Sequence, residues 1–174
     1  YRLNRIIEQL QKHDVGACVL FDPINIRYAT DSRNMSMFTM HELVRFVFIS
    51  AGGKVILFDY PKTGHLSEHL CTINEVRETV SWDFFSANNF VDQNAKQWAG
   101  TVHDLMKEYS PDNNRLAIDV SDPVGIQSLL NEFKVDLVNA QKFIELARSI
   151  KSSDELICMK ASIATAEKGI ALMK

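Results

Sequence analysis

Apolar and polar positions along this chain follow two distinct rhythms. Leu3, Ile6, Ile7 and Leu10 fall at i, i+3, i+4 and i+7, one face of a helix. Residues 2–13 are therefore predicted helical, with Gly16 at the exit. "ACVLF" (17–21) is a short continuous apolar run, the pattern of a buried strand. "VRFVFIS" (44–50) and "KVILFD" (54–59) are two more, and the "AGG" between them predicts a hairpin. "EVRETVSW" (75–82) alternates and predicts another strand. Ala95, Trp98, Ala99, Val102, Leu105, Met106 and Tyr109 keep helical spacing, which makes Trp98 and Tyr109 core aromatics rather than a cofactor box. "RLAIDV" (115–120) is a strand. Asp122-Pro123 then reads as an N-cap and first helical residue, opening a helix that carries Ile126, Leu129, Leu130 and Phe133. "VDLV" (135–138) and "AQKFIELARSI" predict a last strand and helix.

Strands alternating with helices imply an α/β domain over residues 1–150: a three-layer mixed β-sheet with helices on both faces and an antiparallel hairpin inside it. The end of the chain differs. Ser152 and Glu155 form a capping-box pattern, and beyond it Leu156, Met159, Ile163, Ala166, Ile170 and Met173 recur in steps of three and four. No Gly or Pro stop closes that stripe. An apolar helical seam needs a cover; it folds back, dimerises or continues into a further domain. Residues 151–174 are expected to be the first helix of such a domain.

Two stretches do not reduce to this framework. In "DPINIRYATDS" (22–32), Asp22-Pro23 ends the strand and Asn25–Tyr28 predicts about one helical turn, a corner with Tyr28 packed and Arg27 exposed. Residues 31–42 hold three methionines, Phe38, Arg33, His41 and two acids without periodicity. A loop of that length is either packed by its own apolar residues or functional. Methionines and Phe38 suit an adaptable contact surface, and His41 and Arg45 could reach a carboxylate-bearing ligand or a partner chain.

Candidate chemistry is sparse. His65-Leu66-Ser67-Glu68-His69 fits H-x-x-E-H; on a helix the two histidines could share a zinc, with Glu68 as general base and Glu145 as a third ligand. Pro61 and Gly64 leave room for only a short helix, so a solvated surface segment competes with that reading. Asp119 and Asp122 could hold a metal, or serve as a turn and a cap. Gly52-Gly53-Lys54 lacks the phosphate-loop spacing, and no G-x-S-x-G elbow occurs. Cys18, Cys71 and Cys158 are the only cysteines, too dispersed for a disulfide framework or a thiolate zinc site. Net charge is −3 with no basic run beyond two residues, which argues against nucleic-acid binding. No apolar stretch approaches a membrane span. A cytoplasmic setting is expected.

"LFDPINIRYATDS", "RFVFISAGGKVILFDY" and "ELARSIKSSDELICMKASIATAEKGI" together resemble the N-terminal domain of the creatinase, prolidase and Xaa-Pro aminopeptidase family. The carriers are Pro23, Asn25, Ile26 and Tyr28 after the first strand, and Arg148–Ser152 with Glu155 at the crossing into a catalytic domain. Thr30-Asp31 stands where the family usually has Thr-Gly. The resemblance implies a ribonuclease-H-like fold, a homodimer, and a C-terminal "pita-bread" catalytic domain. That domain would hold two divalent metal ions (Mn, Zn or Co) on ligands outside this sequence. It further implies a small peptide or small-molecule substrate, hydrolysed at an Xaa-Pro bond or an amidine, or cleaved by a lyase. By the same match, His41, Arg45, Asp31 and Arg33 are expected to face the partner subunit's substrate, with no catalytic residue in residues 1–174.

Overall fold

A computed structural model describes residues 1–34, 42 and 44–173. The elements run α1 (Arg2–Lys12), β1 (Ala17–Leu20), α2 (Pro23–Thr30), β2 (Phe46–Ser50), β3 (Val55–Asp59), β4 (Glu75–Glu78), α3 (Phe84–Ala87), α4 (Val91–Tyr109), β5 (Arg115–Ile118), α5 (Pro123–Glu132), β6 (Asp136–Asn139), α6 (Gln141–Ser149) and α7 (Ser153–Leu172). Short 3₁₀ turns occupy Gly64–Leu66 and Asn88–Phe90.

The strands form one sheet in the order β4-β3-β2-β1-β5-β6. β2 runs antiparallel to both neighbours, and the other pairings are parallel. The β2–β3 hairpin turns at Gly53, whose φ of 92° only glycine adopts without strain. β1, β2 and β3 are buried at every position, which is why they read as continuous apolar runs rather than alternations. One face packs Ile6, Leu10, Ile26, Phe143 and Ile144 from α1, α2 and α6. The opposite face packs Trp98, Val102, Leu105 and Leu129 from α4 and α5, with Phe21, Phe46, Phe58 and Trp82. The predicted three layers are therefore present. Trp98 is a core aromatic, its ring centroid 4.8 Å from that of Trp82. Cys18 is fully buried, and burial pushes its thiol well above the usual range.

Two elements differ most in extent from their sequence patterns. β4 stops at Glu78 rather than at residue 82, because Thr79 turns its hydroxyl to the Val44 carbonyl and Trp82 crosses to the aromatic face. α2 spans eight residues rather than one turn. Asp22 caps it, accepting from the backbone N–H of Ile24 and Asn25 at 2.7 and 3.1 Å, with Pro23 at the first helical position. Asp122-Pro123 does the same for α5.

α7 opens on a complete capping box between Ser152 and Glu155 and then buries no residue. Leu156, Ile157, Ile163 and Ile170 are 47–66% exposed. An Ile163→Asp change in residues 1–174 is therefore expected to shift stability by less than about 0.5 kcal/mol. Ile144→Ala, at a buried site, is expected to cost about 2–5 kcal/mol; urea titration of the two variants checks the contrast. Among the described residues no helix is long and apolar enough to cross a membrane.

Candidate functional site

The C-terminal edge of β1 is held by Asp119 at the end of β5. Its Oδ1 accepts from the backbone N–H of Phe21 and Val120 at 2.8 and 2.7 Å. Its Oδ2 accepts from the Asp22 N–H at 3.2 Å and from Asn25 Nδ2 at 2.9 Å. Burial raises this carboxyl above the usual range, and the four N–H donors pull it part of the way back. Asn25 Oδ1 in turn accepts from Arg148 Nη1 at 3.1 Å, and the Tyr28 hydroxyl donates to the Ala147 carbonyl at 3.0 Å. The Asn25 and Tyr28 side chains thus bolt α2 to β5 and to the end of α6, where the chain leaves for α7. Arg27, as expected, is exposed.

A groove of about 650 Å³ lies beside this junction, between α2 and the start of α7. Arg2, Arg27, Arg33, Arg148 and Lys151 supply its positive charge, and Asp31, Asp154 and Glu155 its negative charge. Asp31 and Arg33 therefore share one groove. Asp31 has a left-handed φ of 69° at the end of α2, the conformation for which glycine is favoured and aspartate tolerated. Its N–H bonds the Arg27 carbonyl, and its carboxylate pairs with Arg2 at 3.1 Å. Arg33 is exposed. His41 lies outside the described residues.

Arg45, expected to face a substrate, is instead 1% exposed. Its Nε lies 3.0 Å from Asp59 Oδ2, an ion pair without the alignment of a hydrogen bond. Its Nη2 donates to Ser32 Oγ. Asp59, also fully buried, accepts from Asn34 Nδ2 at 2.9 Å and from the Tyr60 N–H at 2.8 Å. Ser32 and Ser67 hydroxyls meet at 2.6 Å. The expectation for Arg45 came from the family match, and a charged residue is rarely withdrawn from water. Its partner, Asp59 at the end of "KVILFD", gave no sign of being buried.

The H-x-x-E-H segment is corrected as well. No α-helix forms there; Gly64–Leu66 is a single 3₁₀ turn, and His65, Glu68 and His69 are exposed. The buried member is the intervening Ser67, which reaches Ser32. Among the described residues no three His, Cys, Asp or Glu side chains converge so as to hold a metal ion. The described residues thus form no cage for a dinuclear centre. Asp119 and Asp122 serve as a backbone anchor and a helix cap.

The model of the creatinase/prolidase N-terminal domain matches residues 2–150. The chain belongs to this family. As a creatinase/prolidase N-terminal domain it is 30% identical over 174 residues to the dimethylsulfoniopropionate lyase DddP of Roseovarius nubinhibens, covering 100% of this chain and 39% of that protein. It is 29% identical, with the same coverage, to the enzyme of the same name from Roseobacter denitrificans. It thus spans 39% of the length of these curated relatives. The crystal structure of the prolidase from Pyrococcus horikoshii superposes with a TM-score of 0.65 at 15% identity, covering 98% of this chain and 41% of that one. That likeness carries the fold alone.

Proposed function

We propose that this domain is the non-catalytic N-terminal part of a cytoplasmic, homodimeric lyase that cleaves dimethylsulfoniopropionate or a closely related small sulfonium carboxylate. The observation that carries this reading is the identity to two dimethylsulfoniopropionate lyases along all 174 residues, α7 included. The substrate's structure defines the reaction. A base removes a proton from the carbon next to the carboxylate, the C–S bond breaks with its electrons leaving on sulfur, and dimethyl sulfide, acrylate and a proton result. The base, and any metal ions, belong to the C-terminal catalytic domain. Arg33 and Asp31 face the partner subunit's substrate, Arg33 offering a cation to the carboxylate and Asp31 an anion to the sulfonium. Exposed apolar surface on α7, and Phe84, Phe85 and Phe90 at 74%, 85% and 60% exposure, supports covering by the catalytic domain and a second subunit.

Xaa-Pro or creatinase-like hydrolysis is the second reading, favoured by the match of residues 2–150 to the creatinase/prolidase N-terminal domain. The deciding experiment incubates the full-length protein with dimethylsulfoniopropionate and, separately, with an Xaa-Pro dipeptide. Headspace dimethyl sulfide and released proline are measured. Dimethyl sulfide without proline is expected, and residues 1–174 alone are expected to yield neither. Proline without dimethyl sulfide, or turnover by residues 1–174 alone, overturns the proposal.

A further inference from the structure

Arg33 stands between two buried residues, each tied to the same ion pair. Ser32, 3% exposed, accepts from Arg45. Asn34, 7% exposed, donates to Asp59 at 2.9 Å. Ser32 is held a second time by Ser67 at 2.6 Å, and its N–H bonds Thr30 Oγ1 at 3.1 Å. The exposed Arg33 is thus the one residue of this three-residue stretch whose side chain leaves the interior, and it does so into the groove beside α2.

A buried ion pair adds little to stability that well-packed apolar side chains would not supply. Here it provides directional bonds to both neighbours of one exposed cation, which apolar contacts could not. Fixing the backbone on both sides removes the main-chain part of the entropy that a surface arginine loses when it engages a ligand, and sets the direction in which its side chain leaves.

We propose that Arg45 and Asp59 are positioning residues that act through Ser32 and Asn34 to hold Arg33 pre-oriented for a substrate carboxylate. The proposal rests on the reading of Arg33 as substrate-facing. Arg45 and Asp59 touch no substrate themselves, and their effect on catalysis passes through Arg33.

The test is a mutant cycle in the full-length enzyme, read as KM and kcat on whichever of the two substrates above it turns over. Arg33→Ala is expected to raise KM about tenfold, the size of one lost charge-assisted hydrogen bond, with kcat nearly unchanged. Ser32→Ala/Asn34→Ala cuts both ties and leaves the ion pair in place. It is expected to raise KM several-fold, and Asn34→Ala alone by a smaller factor that remains measurable should the double variant fold poorly. The decisive reading is the combination: in an Arg33→Ala background, cutting the ties adds no further increase in KM. A general structural role would instead repeat its factor there. If the tie variants leave KM unchanged, or repeat their factor without Arg33, the positioning role fails while the reading of Arg33 stands. An unchanged KM in Arg33→Ala overturns the reading of Arg33 itself, and turnover of neither substrate overturns the functional proposal and this inference with it.

Discussion

Asp59→Ala is expected to destabilise the domain by about 3–5 kcal/mol, the usual cost of removing one partner of a buried ion pair. Arg45 lies beside it as a buried guanidinium. Without Asp59 it is left at 1% exposure, with its carboxylate partner gone. The Asn34 amide and the Tyr60 N–H lose their acceptor as well, and orphaned buried donors are costly. Replacing both charges, as Arg45→Met with Asp59→Leu, is expected to recover most of the loss, because the charge that needed a partner is gone. Urea midpoints at constant m-value for the parent, the single and the double variant measure this. A loss under about 1 kcal/mol in Asp59→Ala would mean that the pair is not withdrawn from water.

Asp119→Ala is expected to cost about 3 kcal/mol. One carboxylate accepts from three backbone N–H groups and from Asn25, and hydrogen bonds to charged groups are among the stronger kind. Its loss frees the edge of β1 and unlocks Asn25 from β5, so α2 loosens together with its contact to Arg148. The sign of the pH dependence follows from burial. Asp119 is raised above the ordinary carboxylate range, so the folded state takes up its proton at a higher pH than the unfolded chain. The stability it contributes is then fully present on the acid side, and is lost as pH rises from the ordinary value through the raised one. The stability gap between the parent and Asp119→Ala should therefore narrow as pH rises across that window. A gap that widens there would contradict the assignment.

These two carboxylates also mark the limit of what local pattern could reach. Asp22-Pro23 was legible only as a strand stop, although Asp122-Pro123, the same pair of residues, was legible as a helix start. The difference lay in the flanking residues: a clean apolar stripe follows Pro123, whereas Asn25, Arg27 and Tyr28 dilute the one after Pro23. Asn25 and Tyr28 turn inward because Asp119, Arg148 and the Ala147 carbonyl wait for them, whereas Arg27 faces solvent. Each of these partners is more than 90 positions away in the sequence, as |i−j| of 94, 123 and 119. The H-x-x-E-H run failed for the converse reason. Its matching residues are solvent-facing, and Ser67 between them is buried by a contact with Ser32.

The order of strands and helices, the hairpin, the covered sheet, the capping box and the apolar stripe of α7 were all determined by the amino-acid sequence alone. Each depends on a short apolar run, a helical periodicity, a turn or a cap, and such signals lie between near neighbours in the chain. The pairing of Arg45 with Asp59, the inward turn of Asn25 and the placing of Arg33 and Asp31 in one groove were decided by tertiary structure alone. A polar side chain takes its role from the partner that folding brings to it, and that partner can stand anywhere in the chain.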